Sequence, residues 1–495
     1  MKRRGISPPS TGPRNDLATM ATLVPYLWPA GQRELRLRVV VAVLLLFAAK
    51  ATNVAVPVFY KHAVDSLSPG ATAVLVVPVA LLAAYGLARV MAMAFGELRD
   101  AIFAKVAQRA IRQAGLKTFR HLHRLSMRFH LDRKTGGISR AIERGTKGIE
   151  FLLNFMLFNV LPTLLEIVLV CAILWNFYGP WYALVTFVNV AGYIAWTLLV
   201  TEWRIKYRRQ MNESDSEANT KAIDSLLNFE TVKYFGNEEH EGRRFDAALR
   251  TYEWAAVKSK TTLSLLNIGQ GAIVSIGLTV IMVMAGHGVV EGNMTLGDFV
   301  LVNSYLIQLY LPLNFLGFVY REIKQSLTDM ETMFSLLDES AEVEDAEGAE
   351  PLKPNGGEVS FRGVSFAYDP RREILKDVSF HIPPGGTIAI VGPSGSGKST
   401  ISRLLFRFYD VDGGSIEVDG QDIRQVTQDS LRSAIGIVPQ DTVLFNDTVY
   451  YNIAYGDPSA GPAQIEAAAR MAAIHDFVMD LPDGYQSMVG ERGLK

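Results

Sequence analysis

Cysteine is nearly absent from this 495-residue chain: Cys171 is the only one. A disulfide framework within the chain and a cysteine-based metal site are thereby excluded. Cys171 sits in an apolar run and reads as a small packing residue. Net charge is missing too. The 49 Lys and Arg nearly cancel the 50 Asp and Glu, leaving a formal charge of −1, so no global electrostatic case exists for a nucleic-acid partner. The N-terminus has Lys2, Arg3 and Arg4 but no apolar core, and residues 5–14 are rich in Pro, Ser and Gly. A cleavable secretory signal is not expected from this, and Asp16, Pro8, Pro9 and Pro13 weigh against a mitochondrial presequence.

What the chain has in excess is apolar length. Hydrophobic residues make up 49% and the mean hydropathy is +0.16. The long apolar runs all lie before residue 321. A membrane span needs about 20 mostly apolar residues, and six stretches qualify: 39–59, 73–95, 151–175, 181–200, 263–285 and 296–319. Lys50 and Asn53 interrupt the first; Lys50 must snorkel or pair with an acid. Segment 96–150 holds 13 Lys and Arg and segment 201–262 holds 11, whereas 176–180 and 286–295 hold none. Positive charge gathers on the cytoplasmic side. Both termini and both long segments are therefore placed in the cytoplasm.

The two cytoplasmic segments carry apolar residues at helical spacing, which predicts helices running on past the bilayer. Some 20 residues each way would reach about 30 Å. Turns are expected at Gly136-Gly137 and within 212–219. Such hairpins are suited to carrying motion to a soluble domain. Inside the spans, Asn267 and Gln270 lie three apart on one helical face. Asn303, Gln308 and Asn314 lie in the sixth, beside Pro312, an expected kink. Such polar groups serve either as glue between helices or as the lining of a polar cavity.

Residues 338–350 contain seven acids and no base, followed by Pro351, Pro354, Asn355, Gly356 and Gly357. This reads as a solvated linker. Strands are predicted over 358–368 and 374–382. The apolar run 387–391 is expected to be a buried strand leading into Gly392, Pro393, Ser394, Gly395, Ser396, Gly397, Lys398, Ser399 and Thr400. That run fits the phosphate-binding loop G-x-x-x-x-G-K-[ST]. Its glycines let backbone N–H groups face phosphate oxygens, Lys398 supplies positive charge, and the Ser399 hydroxyl is positioned to hold Mg²⁺. Residues 401–408 read as a helix, which puts the phosphates at a helix N-terminus. ATP and Mg²⁺ are the expected ligands. The fold class expected is an all-α six-span membrane domain followed by an α/β nucleotide-binding domain, with a tail and interfacial helix over 1–36, the membrane domain over 37–330, the linker over 331–357 and the soluble domain over 358–495.

With these motifs in order, the sequence resembles the exporter-type ABC transporters. Tyr368, thirty residues before Lys398, matches the aromatic residue that stacks on adenine. Gln440 matches the glutamine that senses Mg²⁺ and the γ-phosphate, and Val489, Gly490, Glu491, Arg492 and Gly493 match the stretch just before the family's signature loop. Within the family it looks most like the Atm-type, or heavy-metal-tolerance, exporters. The residues carrying that likeness are Thr201, Glu202, Trp203 and Arg204, the run 228–235 with Asn237 and Glu238, Asn267 and Gln270, and Pro312, Leu313, Asn314 and Phe315. The resemblance implies export of glutathione-linked species by a homodimer embedded in lipid. It implies a substrate site drawn from Tyr193, Arg204, Arg208, Asn267, Gln270, Asn314, Phe315, Gly317, Phe318 and Arg321. Arg204 and Arg208, i,i+4 neighbours, form with Arg321 a cationic collar suited to several carboxylates, or serve as the positive-inside flank of their spans.

The chain departs from the family pattern at Lys495, where the signature loop would begin. The expectation is a fragment of a longer reading frame that binds nucleotide without turning it over. His475 lies too early to be the family's switch histidine and reads as a surface residue. A lipid or drug exporter and a non-hydrolysing nucleotide-gated regulator stand as the other readings, and a bacterial inner membrane is preferred over the mitochondrial one.

Overall fold

A computed structural model describes residues 16–67, 77–132, 135–439, 443–490 and 493–494. The chain divides into two compact units, residues 1–342 and 343–495.

Among the described residues, six helices of the first unit are long and apolar enough to cross a membrane. The first span lies in helix Arg33–Ser66 and the second in Val79–Arg124. The third begins in Thr135–Phe155, passes through a π-helical turn at Met156–Val160 and continues as Leu161–Tyr178. The fourth and fifth are the 48-residue helix Pro180–Leu227 and the 53-residue helix Glu238–Val290. The sixth is Leu296–Leu313, and after a two-residue break the chain resumes as Leu316–Phe334. A proline lacks the N–H that would bond the carbonyl four residues earlier, and Pro312 stands two residues ahead of that break. The start of the sixth span is fixed by a capping box. The Thr295 hydroxyl accepts from the Asp298 N–H at 3.1 Å, and the Asp298 carboxylate accepts from the Thr295 N–H at 2.8 Å.

The helices pack in pairs: first with second, fourth with fifth, and the last segment of the sixth on the start of the third. Among the described residues the packing builds separate apolar cores, two of them large. One gathers Val170, Leu174, Val190, Tyr193, Ile281, Leu306 and Leu309. The other gathers Phe103, Val106, Ile149, Leu152, Met330 and Met333.

The turns of the two long polar segments fall elsewhere than expected. Residues 212–219 lie inside the fourth helix, which turns only after Leu227, through the short helix Phe229–Phe235. The polar run stays helical because its charges pair along the surface, Arg209 with Glu213 at 3.1 Å and Lys221 with Glu217 at 2.7 Å. Gly136 and Gly137 likewise belong to the helix Thr135–Phe155; the long second helix ends at Arg124 and the short helix Met127–Asp132 follows it.

In the second unit, β1 (Val359–Asp369), β2 (Arg372–Ile382), β3 (Gly413–Val418) and β4 (Gln421–Asp422) form an antiparallel sheet in the order β2-β1-β3-β4. Phe361, Val364, Phe366, Leu375, Leu404 and Ile416 fill its core. At the β1–β2 turn, Arg371 hydrogen-bonds Asp369 and holds that carboxyl well below the usual carboxylate range.

Two expectations fail here. The run 387–391 forms no strand, and Ile388, Ile390 and Val391 are exposed. A strand exists only through its ladder partners, and no described strand pairs with this run. The acidic stretch is not a solvated linker either. Val343 and Leu352 are buried. The buried Arg407 donates to the Glu344 carbonyl at 3.0 Å and pairs with Asp410 at 3.0 Å. Asp419 accepts the N–H groups of Asn355, Gly357 and Glu358 at 2.6, 3.2 and 2.8 Å, which lowers its pKa. Composition forecast solvation, but the backbone carbonyls and N–H groups of the stretch found partners in the domain.

Candidate functional site

In the soluble unit the phosphate-binding loop runs into the helix Lys398–Leu405. Gly395 and Gly397 have φ of +83° and +97°, a backbone region that costs other residues strain. A Cβ on Gly397 would also stand 2.9 Å from Leu375. The Lys398 ammonium donates to the Gly392 and Pro393 carbonyls, each at 2.8 Å, so its charge is aimed into the loop. The first-turn N–H groups of Lys398 and Ser399 have no intrahelical acceptor by position. Ser394, Ser396 and Ser399 are exposed, while Thr400 is buried. The Tyr368 hydroxyl donates to Thr400 Oγ1 at 3.3 Å and accepts from Arg403 at 3.3 Å, and its ring meets Tyr409 edge-on at 5.2 Å. Tyr368 is thus fixed on the loop's own helix. The exposed Ser399 hydroxyl, on the first turn beside Lys398, is of the right chemistry for Mg²⁺. Gln440, Glu491 and Arg492 lie outside the described residues. His475 is not a free surface residue: its ring nitrogen hydrogen-bonds the Tyr485 hydroxyl at 2.8 Å.

In the membrane unit several of the singled-out residues meet. Tyr193, fully buried in the fourth span, donates its hydroxyl to Asn314 at 3.1 Å, at the break in the sixth. Gln270 donates to Thr197 Oγ1 at 2.8 Å, joining the fifth span to the fourth. Gly317 lies against Thr201 and Thr197, where a Cβ would come within 3.2 Å of the Thr201 hydroxyl. Arg204, 7% exposed, donates to Thr262 Oγ1 at 3.3 Å. Arg204, Arg208 and Arg321 are close enough to repel one another electrostatically. Two buried polar atoms here, Thr201 Oγ1 and Arg204 Nη1, have no hydrogen-bond partner in the chain. Such atoms cost free energy unless something satisfies them. Phe315 and Phe318 line an apolar cleft of about 430 Å³ together with Phe155 and Ile194. Asn267 is exposed on the fifth helix.

Thr197 and Thr262 escaped the sequence reading, and Thr201 entered it only as a mark of the family likeness, not as a site residue. Thr197, Thr201 and Arg204 recur at i, i+4 and i+7 on one helical face, a usable signal, but threonine in a span reads first as helix glue.

Two family models match this chain. The ABC transporter transmembrane region matches residues 39–313, and the ABC transporter family matches residues 375–489. The mitochondrial iron–sulfur clusters transporter ATM1 of Gibberella zeae is 51% identical over 97% of the chain and 69% of its own length. The chain belongs to the Atm1/ABCB7 family of ABC exporters. The human mitochondrial iron–sulfur clusters transporter ABCB7 is 48% identical over 96% of the chain and 64% of its own length. A bacterial Atm1-family ABC exporter solved with ATP bound superposes with a TM-score of 0.76 at 50% identity, covering 93% of the chain and 81% of that structure. The chain thus spans about two thirds of the length of these curated relatives. Members of this family are ATP-driven transporters, and the chain is of their half-transporter type.

The preference for a bacterial inner membrane is overturned. The Gibberella, human and Arabidopsis relatives are all named as mitochondrial. The short Pro-rich N-terminal stretch that suggested otherwise carries no physical constraint on which membrane the spans enter.

Proposed function

We propose that this chain is one subunit of a homodimeric, ATP-driven exporter of glutathione-linked anions: oxidised glutathione, glutathione persulfide or polysulfide, or a metal held by glutathione thiolates. The observation that carries this reading is the meeting of Arg204, Arg208 and Arg321 beside Thr197, Thr201, Tyr193, Gln270 and Asn314. Guanidinium groups bind carboxylates in bidentate fashion, and glutathione derivatives bring several. Hydroxyls and amides deeper in the site suit peptide groups. The unpartnered Thr201 hydroxyl and Arg204 nitrogen are the donors such a ligand would satisfy. The names of the relatives, transporters of iron–sulfur clusters, fit a cargo built on sulfur. With a single cysteine in the chain, any metal moved must arrive with its own thiolate ligands.

At the nucleotide end, Lys398 and the first-turn N–H groups hold the β- and γ-phosphates, and Tyr368 offers a ring to adenine. Ser399, with Gln440, is assigned to Mg²⁺, which when bound neutralises phosphate charge. The reading is tested by ATP turnover of the native protein in lipid vesicles. Oxidised glutathione should stimulate it, and phospholipid or a hydrophobic dye should not; stimulation by the dye alone would overturn the cargo.

A further inference from the structure

Lys50, an ionisable residue in the middle of an apolar span, has a partner. Its ammonium lies 2.5 Å from Glu166 of the third span, and Glu166 is 2% exposed. The other carboxylate oxygen accepts from Asn53 of the first span at 2.9 Å and from Gln308 of the sixth. One buried carboxylate therefore ties three spans together.

The positions of the two amides matter. Pro57 lies inside the first helix and Pro312 inside the sixth. Each lacks the N–H that would bond the carbonyl four residues before it. Those residues are Asn53 and Gln308. The third span has its own irregularity close by: Pro162 stands four residues before Glu166, with one residue between it and the π-helical turn Met156–Val160. Helices bend at prolines and π-bulges. Thus the weakened turns of the first and sixth helices converge on Glu166, each through the side chain at its weak point, and the third helix is itself irregular a turn before Glu166. Tyr305 adds a further tie nearby, donating to the Val54 carbonyl at 2.8 Å.

We propose that Glu166 is a positioning residue of the transport movement. Its charge, balanced by Lys50, pins the proline-weakened turns of the first and sixth spans. Bending of the sixth span is then confined to the break at Asn314 and Phe315, beside Tyr193 and Gly317. Glu166 touches neither cargo nor nucleotide in this scheme. An ion pair at membrane depth is costly to bury, and its role here is registry rather than adhesion.

The inference rests on the export reading above. The experiment uses the native protein with two changes: Glu166→Gln, and the exchanged pair Lys50→Glu with Glu166→Lys. In the exchange the amides of Asn53 and Gln308 can turn and accept from the lysine. Glu166→Gln should bind oxidised glutathione within about twofold of wild type while its vesicular transport falls about tenfold. The exchanged pair should regain most of that loss. The proposal is overturned if Glu166→Gln transports like wild type, or if the exchanged pair folds and binds normally but stays as slow as the single variant. If Glu166→Gln does not fold, the exchanged pair alone decides by the same criterion. If the wild-type protein does not move oxidised glutathione, the cargo reading fails separately. The positioning claim is then judged from nitroxide labels at Leu164 and Gln325 in a Cys171→Ser background. A nucleotide-driven distance change present in wild type and lost in Glu166→Gln supports it; an unchanged response overturns it.

Discussion

Replacing Gly277 by alanine should damage the membrane unit far more than one methyl group suggests. Gly277 faces Asn189 across the fourth and fifth spans. A Cβ there would fall 2.0 Å from Asn189 Nδ2, 2.2 Å from Cγ and 2.6 Å from Oδ1. The amide cannot simply step aside, because both its ends are engaged. Nδ2 donates to the Ile273 carbonyl at 2.9 Å, and Oδ1 accepts from the Tyr310 hydroxyl at 2.5 Å. Two interhelical bonds at about 0.6–1.7 kcal/mol each are lost. The buried Tyr310 hydroxyl is left unsatisfied, costing about 1–3 kcal/mol. The expected destabilisation is about 2–6 kcal/mol, a large part of a typical domain stability of about 5–15 kcal/mol. Thermal unfolding in detergent should show a midpoint lowered by roughly 3–8 °C. The decisive comparison is the double variant Gly277→Ala with Asn189→Ala. Once the amide is gone the methyl group has room, so the double should match Asn189→Ala alone to within about 0.5 kcal/mol. A Gly277→Ala protein as stable as wild type, or penalties that simply add, would refute the steric argument.

Three further outcomes follow from the sites. Lys398→Ala should weaken binding of a fluorescent ATP analogue by at least about tenfold, with oxidised-glutathione binding unchanged, measured by titration of the purified protein. Arg321→Ala should weaken oxidised glutathione by about 10- to 100-fold, since one charge-assisted contact is worth about 1.5–3 kcal/mol. The remaining affinity should depend less on salt, and a binding series from low to high ionic strength reads both effects. The lowered pKa of Asp419 sets a pH dependence. Its contribution to stability is fully present above the unfolded value of about 3.9 and is lost as pH falls through the lower folded value. Asp419→Asn should therefore destabilise the soluble unit at pH 7 and remove part of its acid sensitivity below about pH 4; unfolding midpoints of both proteins measured from pH 7 downward settle this.

Much of the architecture was legible before any coordinates. Long apolar runs and the segregation of Lys and Arg report directly on solvent, and solvent determines spans and topology. The phosphate-binding loop was legible because its glycines and lysine answer to local backbone geometry. Features that depend on distant partners were not. Lys50 pairs with a residue 116 positions away, although an acid inside an apolar span was itself a visible sign. The turn after Leu227 was missed because 212–219 looks like a loop by composition and is held helical by its own charge pairs. The run 387–391 has strand composition without a described neighbour to pair with. Of the residues singled out, Tyr193, Gln270, Asn314, Gly317 and Arg204 are brought together, but the threonines that receive them show only a helical spacing that reads first as helix glue.

The fourth and fifth helices share a further consequence. From Arg204 to Leu227 the fourth helix runs on for about 35 Å at the usual rise per residue, and the fifth returns alongside it. The hairpin ends in exposed apolar side chains, Leu226, Leu227, Tyr234 and Phe235. Such a rod has mechanical advantage. A tilt of about 5° near the arginines displaces the tip by about 3 Å over that length, roughly the difference between a formed and a broken contact. If cargo binds at the arginines as proposed, even a slight shift of the guanidinium groups is reported, amplified, at an oily tip far from them.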